Sequence, residues 1–135
     1  MNVLWCGLVV GLQCYDILPS GVGKHLVIKW LMENDLTTAV EDGGRVQAFA
    51  FGDRPAGNDY GLTTHEAVTF VSVSECPETV VESLQRHHVG HNVVGTALVL
   101  DSLVSQLETA NLESESTLLD VKGAVDEARK HLPNI

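Results

Sequence analysis

A chain of 135 residues has the length of one modest domain, and its 44% hydrophobic and 5% aromatic content fits an ordinary soluble α/β protein. Eighteen acidic against eight basic side chains give a formal charge of -10. That balance repels phosphate backbones, so no nucleic-acid partner is expected, whereas carboxylates in this number readily hold a divalent cation.

The first stretch, Met1 to Leu12, is apolar. A signal peptide would want a basic start, yet no Lys or Arg precedes Lys24, and the run stops at Gln13, short of the ~20 residues of a spanning helix. Met1 to Leu12 reads as one or two buried β segments, with Val3–Cys6 and Leu8–Val10 β-prone, Cys14–Leu18 resumes the β-prone pattern, and no membrane partner is expected. Cys6, Cys14 and Cys76 are sparse, odd in number and free of any CxxC or zinc spacing. Reduced thiols and a cytoplasmic location follow as the expectation.

Pro19-Ser20-Gly21 marks a turn, and Lys24 to about Asn34 predicts a largely buried helix through Leu26, Val27, Ile28, Trp30, Leu31 and Met32. Val46–Phe51 and Ala67–Val73 are short apolar runs of the kind covered on both sheet faces. Between them lies a loop from Gly52 to Gly61. Glu78–Gln85 predicts a helix, His87–Gly95 a glycine-punctuated loop, and Thr96–Leu107 a helix with apolar spacing near 3.6. Asn111–Thr117 reads as an acidic linker before a last amphipathic helix, Leu118–Leu132. The order of elements argues for an α/β protein with a mostly parallel sheet.

Three pieces carry chemistry. Asp16-Ile17-Leu18-Pro19-Ser20-Gly21-Val22-Gly23-Lys24 is a strand, a glycine turn and a lysine opening a helix. Phe49-Ala50-Phe51-Gly52-Asp53-Arg54-Pro55-Ala56-Gly57-Asn58-Asp59 is an apolar strand ending in an acidic loop, and Ala67–Val73 is a second such strand. Ligands of open α/β sheets sit beyond the carboxyl ends of the strands, where Asp53, Asn58 and Asp59 would fall. Hard oxygen ligands there suit Mg²⁺, and a lysine at the same edge can neutralise a phosphoryl group. Other readings are weaker. Gly21-Val22-Gly23-Lys24 lacks the Gly at Leu18 and the Ser/Thr at His25 that a P-loop needs. His87 and His91 would share a helix face for zinc, but Gly90 weakens that helix and no Cys or acidic ligand lies close. Asp53 and Asp59 also suit a plain turn.

On these residues the sequence resembles the haloacid dehalogenase superfamily, particularly its Cof-like and sucrose-phosphatase-like members with an inserted α/β cap. Asp16 to Lys24 follows that family's "(D/E)I.P.G..K" motif, and Gly52-Asp53 with Asn58-Asp59 follows its "GD..ND" motif. The resemblance spans roughly residues 13 to 107. It implies a Mg²⁺-dependent phosphomonoester hydrolase, with Lys24 catalytic and Asp53, Asn58 and Asp59 at the metal. A small phosphorylated substrate such as a sugar phosphate is implied too. The implied fold is the C-terminal half of a Rossmann-like domain. Residues 1–18 would end the cap region, 19–110 form a partial core, and 111–135 supply a linker and C-terminal helix.

Two departures stand out. Four residues, Arg54 to Gly57, separate the GD and ND pairs where the family has two, and no two aspartates lie two residues apart, as the family's DxDx(T/V) nucleophile strand requires. Met1 is therefore expected to begin inside the end of the cap. The chain is expected to be inactive alone and to self-associate through an unpaired sheet edge. A non-catalytic binding or regulatory module on the same scaffold, or a truncated gene product, is the rival reading.

Overall fold

In a computed structural model of the protein, the described residues are 6–10, 15–34, 47–66, 68–76, 83, 85–113 and 118–133. The chain opens with two strands, β1 (Cys6–Val10) and β2 (Tyr15–Pro19), paired antiparallel from Cys6 opposite Pro19 to Val10 opposite Tyr15. Gly21 follows at φ +82, a conformation that glycine adopts without steric cost, and turns the chain into α1 (His25–Asn34).

The core is a three-stranded parallel sheet, β3 (Ala48–Gly52), β4 (Val68–Ser72) and β5 (Arg86–His88), in the order β3-β4-β5. This is an α/β arrangement, and the two apolar runs are adjacent parallel strands as their composition predicts. Alternation with period two sends Ala50, Val68 and Phe70 to one face, against Leu62 and Ile28. Val71 and Val73, with Phe49 and Phe51, go to the other face. There they meet α3 (Asn92–Glu113) through Val99 and Leu103, and α4 (Val121–Lys130) through Val121, Ala124, Val125 and Ala128. The connection from β3 to β4 carries a single short helix, α2 (Tyr60–Thr63).

Helix α4 starts where Asp120 accepts the Gly123 amide, and it ends with Arg129 and Lys130 in its last turn. Both ends suit the helix dipole and the unpaired amides of the first turn. Gln47 reaches from the start of β3 to both backbone groups of Leu119, tying the sheet to the segment before α4.

Several sequence expectations need correction. The helix from Lys24 is present but not buried: Leu26, Val27 and Trp30 are 40–60% exposed. Ile28 packs against the cluster of Ala50, Leu62, Val68 and Phe70, and Leu31 and Met32 are half-buried. β3 is an edge strand among the described residues, so it is buried only at Ala50, whereas β4 is buried almost throughout. The stretch His87–Gly95 is a loop only at Val89–His91, between β5 and α3. Arg86–His88 forms β5, with His87 and His88 buried, because the His88 ring donates to the Ser74 carbonyl at 2.8 Å and satisfies a polar group inside the sheet. The predicted helix Glu78–Gln85 mostly lies outside the described residues. Ser83 and Arg86 exchange two backbone hydrogen bonds in a tight turn, so no helix reaches that point. Helix α3 begins earlier and runs longer than Thr96–Leu107, taking in 111–113 of the supposed linker.

Candidate functional site

The site is assembled at the carboxyl edge of the parallel sheet, where β3 ends at Gly52. The chain turns there through Arg54–Gly57, held by Gly57 and Asp59 amides that both donate to the Arg54 carbonyl. Asp59 is thereby folded back beneath the strand end and is only 1% exposed. One of its carboxylate oxygens accepts the Arg54 amide at 3.0 Å and the other accepts Lys24 Nζ at 2.5 Å. Glycine is required at position 52, since a Cβ there would collide with the Asp59 carboxylate.

Lys24 comes from the turn before α1 and is half exposed, so only one of its three ammonium donors is committed to Asp59. Asp53 is exposed and lines the same cavity of about 290 Å³ as Lys24 and Asp59. Asn58 does not line it, and its Oδ1 is buried without a hydrogen-bond partner among the described residues. Three of the four sequence-derived site residues therefore share one cavity, and the fourth lies next to it in the chain.

Sequence reading missed the opposite wall. Asn92, Val93 and Thr96, at the start of α3, close the cavity across from Lys24. Gly90, His91 and Asn92 occupy three consecutive left-handed conformations at φ 73, 57 and 45. Such backbone is rare outside glycine, though Asn and His tolerate it better than most residues. It is held by Asn92, whose amide donates to the Val73 carbonyl and whose side chain donates to Glu75 at 2.9 Å, and by the His91 ring, which donates to the Pro133 carbonyl. The one signal in the sequence was the Gly-His-Asn run directly before an apolar helix.

Asp53 is the exposed acidic residue lining the cavity, whereas the buried Oδ1 of Asn58 stands outside its lining. Asp59 already has both oxygens engaged. Among the described residues no group of three or more His, Cys, Asp or Glu forms a metal-binding cluster, so His87, His88 and His91 do not converge.

No family model matches the chain, and no curated protein or solved structure is similar enough to it to count as a match.

Proposed function

We propose that the chain is the C-terminal part of a Mg²⁺-dependent phosphomonoester hydrolase of the haloacid dehalogenase type, acting on a small phosphorylated substrate. The observation that carries this reading is the contact of Lys24 with Asp59 beside Asp53, at one cavity beyond the strand ends. A lysine and an acidic loop drawn from separate segments meet there, in the arrangement the two sequence motifs imply.

In this reading Asp59 holds Lys24 in place, and the ammonium donors of Lys24 that no described residue engages meet phosphoryl oxygens as their charge grows in the transition state. Asp53 is the first metal ligand, with Asn58 a better helper than Asp59, whose oxygens are already engaged. Bound Mg²⁺ would supply charge neutralisation at the phosphoryl group. In the family a DxDx(T/V) strand supplies the attacking carboxylate and the group that protonates the leaving oxygen, and no two aspartates of this sequence have that spacing.

The test is NMR shift mapping during separate Mg²⁺ and inorganic phosphate titrations of the chain, Asp53→Ala and Lys24→Ala. The reading expects weak Mg²⁺ binding, in roughly the millimolar range, that Asp53→Ala removes, and phosphate binding that Lys24→Ala weakens. Wild type responding to neither ligand would favour the rival, a non-catalytic module on the same scaffold.

A further inference from the structure

The long helix α3 carries a face that the described residues leave uncovered. It packs on the sheet and α4 through Val99 and Leu103, while Val93, Ala97, Leu100, Val104 and Leu107 stay exposed, Val93 at 80% and the three larger downstream side chains at 45–50%. The steps between them are four, three, four and three residues. That alternation keeps all five side chains in one narrow stripe and is the spacing of a seam between two helices. Leu100 and Leu107 fall at one seam position and Val104 at the other, the distribution that favours a two-helix contact.

Charge decides what covers the stripe. Asp101 and Glu108 are exposed along its solvent side, and α3 contains no Lys, Arg or His. A second copy would bring the same acidic helix, on a chain of formal charge -10, with no cation on that helix to meet the two carboxylates. By length and composition Asn92–Ala110 could cross a membrane, but a helix lying on anionic lipid needs the basic flank that is missing here. From the seam spacing and the one-signed flank we infer that α3 docks a basic amphipathic helix of a partner protein. The partner's apolar seam would cover Leu100, Val104 and Leu107, and its Lys or Arg side chains would pair with Asp101 and Glu108.

The probe is a fluorescent peptide of about three heptads with Val and Leu at the seam positions. It carries Lys at the positions flanking the seam, and a control peptide carries Glu there. Both are titrated with the whole chain at low and high salt, followed by anisotropy. The Lys peptide is expected to bind, with affinity falling as salt rises, and the Glu peptide to bind roughly tenfold or more weakly. The exposed double variant Asp101→Lys/Glu108→Lys should reverse that preference. Leu100→Ser/Val104→Ser should cut Lys-peptide binding at least about tenfold, with the circular dichroism spectrum and melting curve retained. Equal binding of the two peptides, or failure of the charge reversal to change their order, would overturn the inference. So would a dimer in light scattering that Leu100→Ser/Val104→Ser disperses, or partition onto phosphatidylcholine–phosphatidylglycerol vesicles that the same variant abolishes.

Discussion

Lys24 and Asp59, 35 residues apart in the chain, meet at 2.5 Å across the end of the parallel sheet, the lysine half exposed and the aspartate almost fully buried. The asymmetry in burial makes the two partners unequal. Removing the lysine leaves a buried carboxylate with the Arg54 amide as its remaining donor, whereas removing the negative charge leaves an ammonium that water can reach. Lys24→Met is therefore expected to destabilise by about 1–3 kcal/mol, and Asp59→Asn by clearly less. Urea unfolding of both variants checks the order. The reverse order would mean that burial of Asp59 does not govern the pair.

Gly52→Ala tests the same arrangement without touching a charge. The added methyl would overlap the Asp59 carboxylate, which is fixed by Arg54 on one side and Lys24 on the other. Relief requires moving the loop, so a loss of roughly 1–3 kcal/mol is expected. The Lys24→Met substitution should then cost less in the Gly52→Ala background than in wild type. Additive losses in that double-mutant cycle would show the loop and the lysine to be energetically independent.

Asp53 differs from Asp59 in being exposed, with its carboxylate at the cavity. Asp53→Ala should change stability by less than about 0.5 kcal/mol and yet remove the response to Mg²⁺. Thermal melts with and without Mg²⁺ separate the two effects. A Mg²⁺-dependent rise in melting temperature that survives the substitution would take Asp53 out of the metal site.

How far the sequence could be read depended on where side chains end up relative to the sheet. β3 and β4 were legible because continuous apolar runs have few other uses, and the Asp59 loop was legible because Gly52, Pro55, Gly57 and Asn58 leave little choice but a turn. β5 was not, since its residues Arg86, His87 and His88 are polar and become strand only where β4 and the Ser74 carbonyl wait for them. The helix from Lys24 was read as largely buried from its apolar side chains, and Thr96–Leu107 as a helix from its apolar spacing. Periodicity reports that a face wants cover, not that this chain supplies it, and Leu26, Trp30 and Leu100 are exposed. In the site, Lys24 and the acidic loop were legible from residue type and order. Asn92 and Thr96 were not, because they reach the cavity only through the left-handed turn at Gly90–Asn92.

Helix α4 sets a pH dependence away from the site. The Lys122 side chain hydrogen-bonds Asp126, and with the nearby charges of Lys122 and Arg129 this holds the Asp126 carboxyl below its ordinary 3.8 against the opposing effect of desolvation. Lys130 and then His131 likewise hold Glu127 below 4.5. Depressed folded values mean that the associated stability is complete above the unfolded values and is lost as pH falls through the lower folded ones. A small loss of melting temperature is thus expected as the pH falls below about 4.5, and smaller in high salt because these pairs are solvent-exposed. Lys122→Ala should return the Asp126 titration, followed by carboxyl NMR shifts, toward 3.8. An Asp126 that titrates identically in both proteins would show that the ion pair is not formed in solution.

The final prediction is that the chain alone does not hydrolyse phosphomonoesters. In-line displacement at phosphorus needs a carboxylate aimed opposite the leaving oxygen and a second group to protonate that oxygen. The cavity offers Asp59, whose oxygens are taken by Lys24 and the Arg54 amide, and Asp53, whose proposed task is the metal. Asp101 lies on α3 and Asp126 on α4, and neither lines the cavity. Binding and turnover should therefore separate: inorganic phosphate is held through Lys24, while p-nitrophenyl phosphate and sugar phosphates with Mg²⁺ give no product above background. The arm that carries the reading adds a DxDx(T/V) segment fused upstream of Met1. Activity that appears with the fusion and vanishes with either Lys24→Ala or Asp53→Ala would assign both residues to a phosphatase site. Turnover by the unfused chain that both substitutions abolish would instead mean that a nucleophile exists among its own residues, and the division of labour proposed for Asp53 and Asp59 would have to be abandoned.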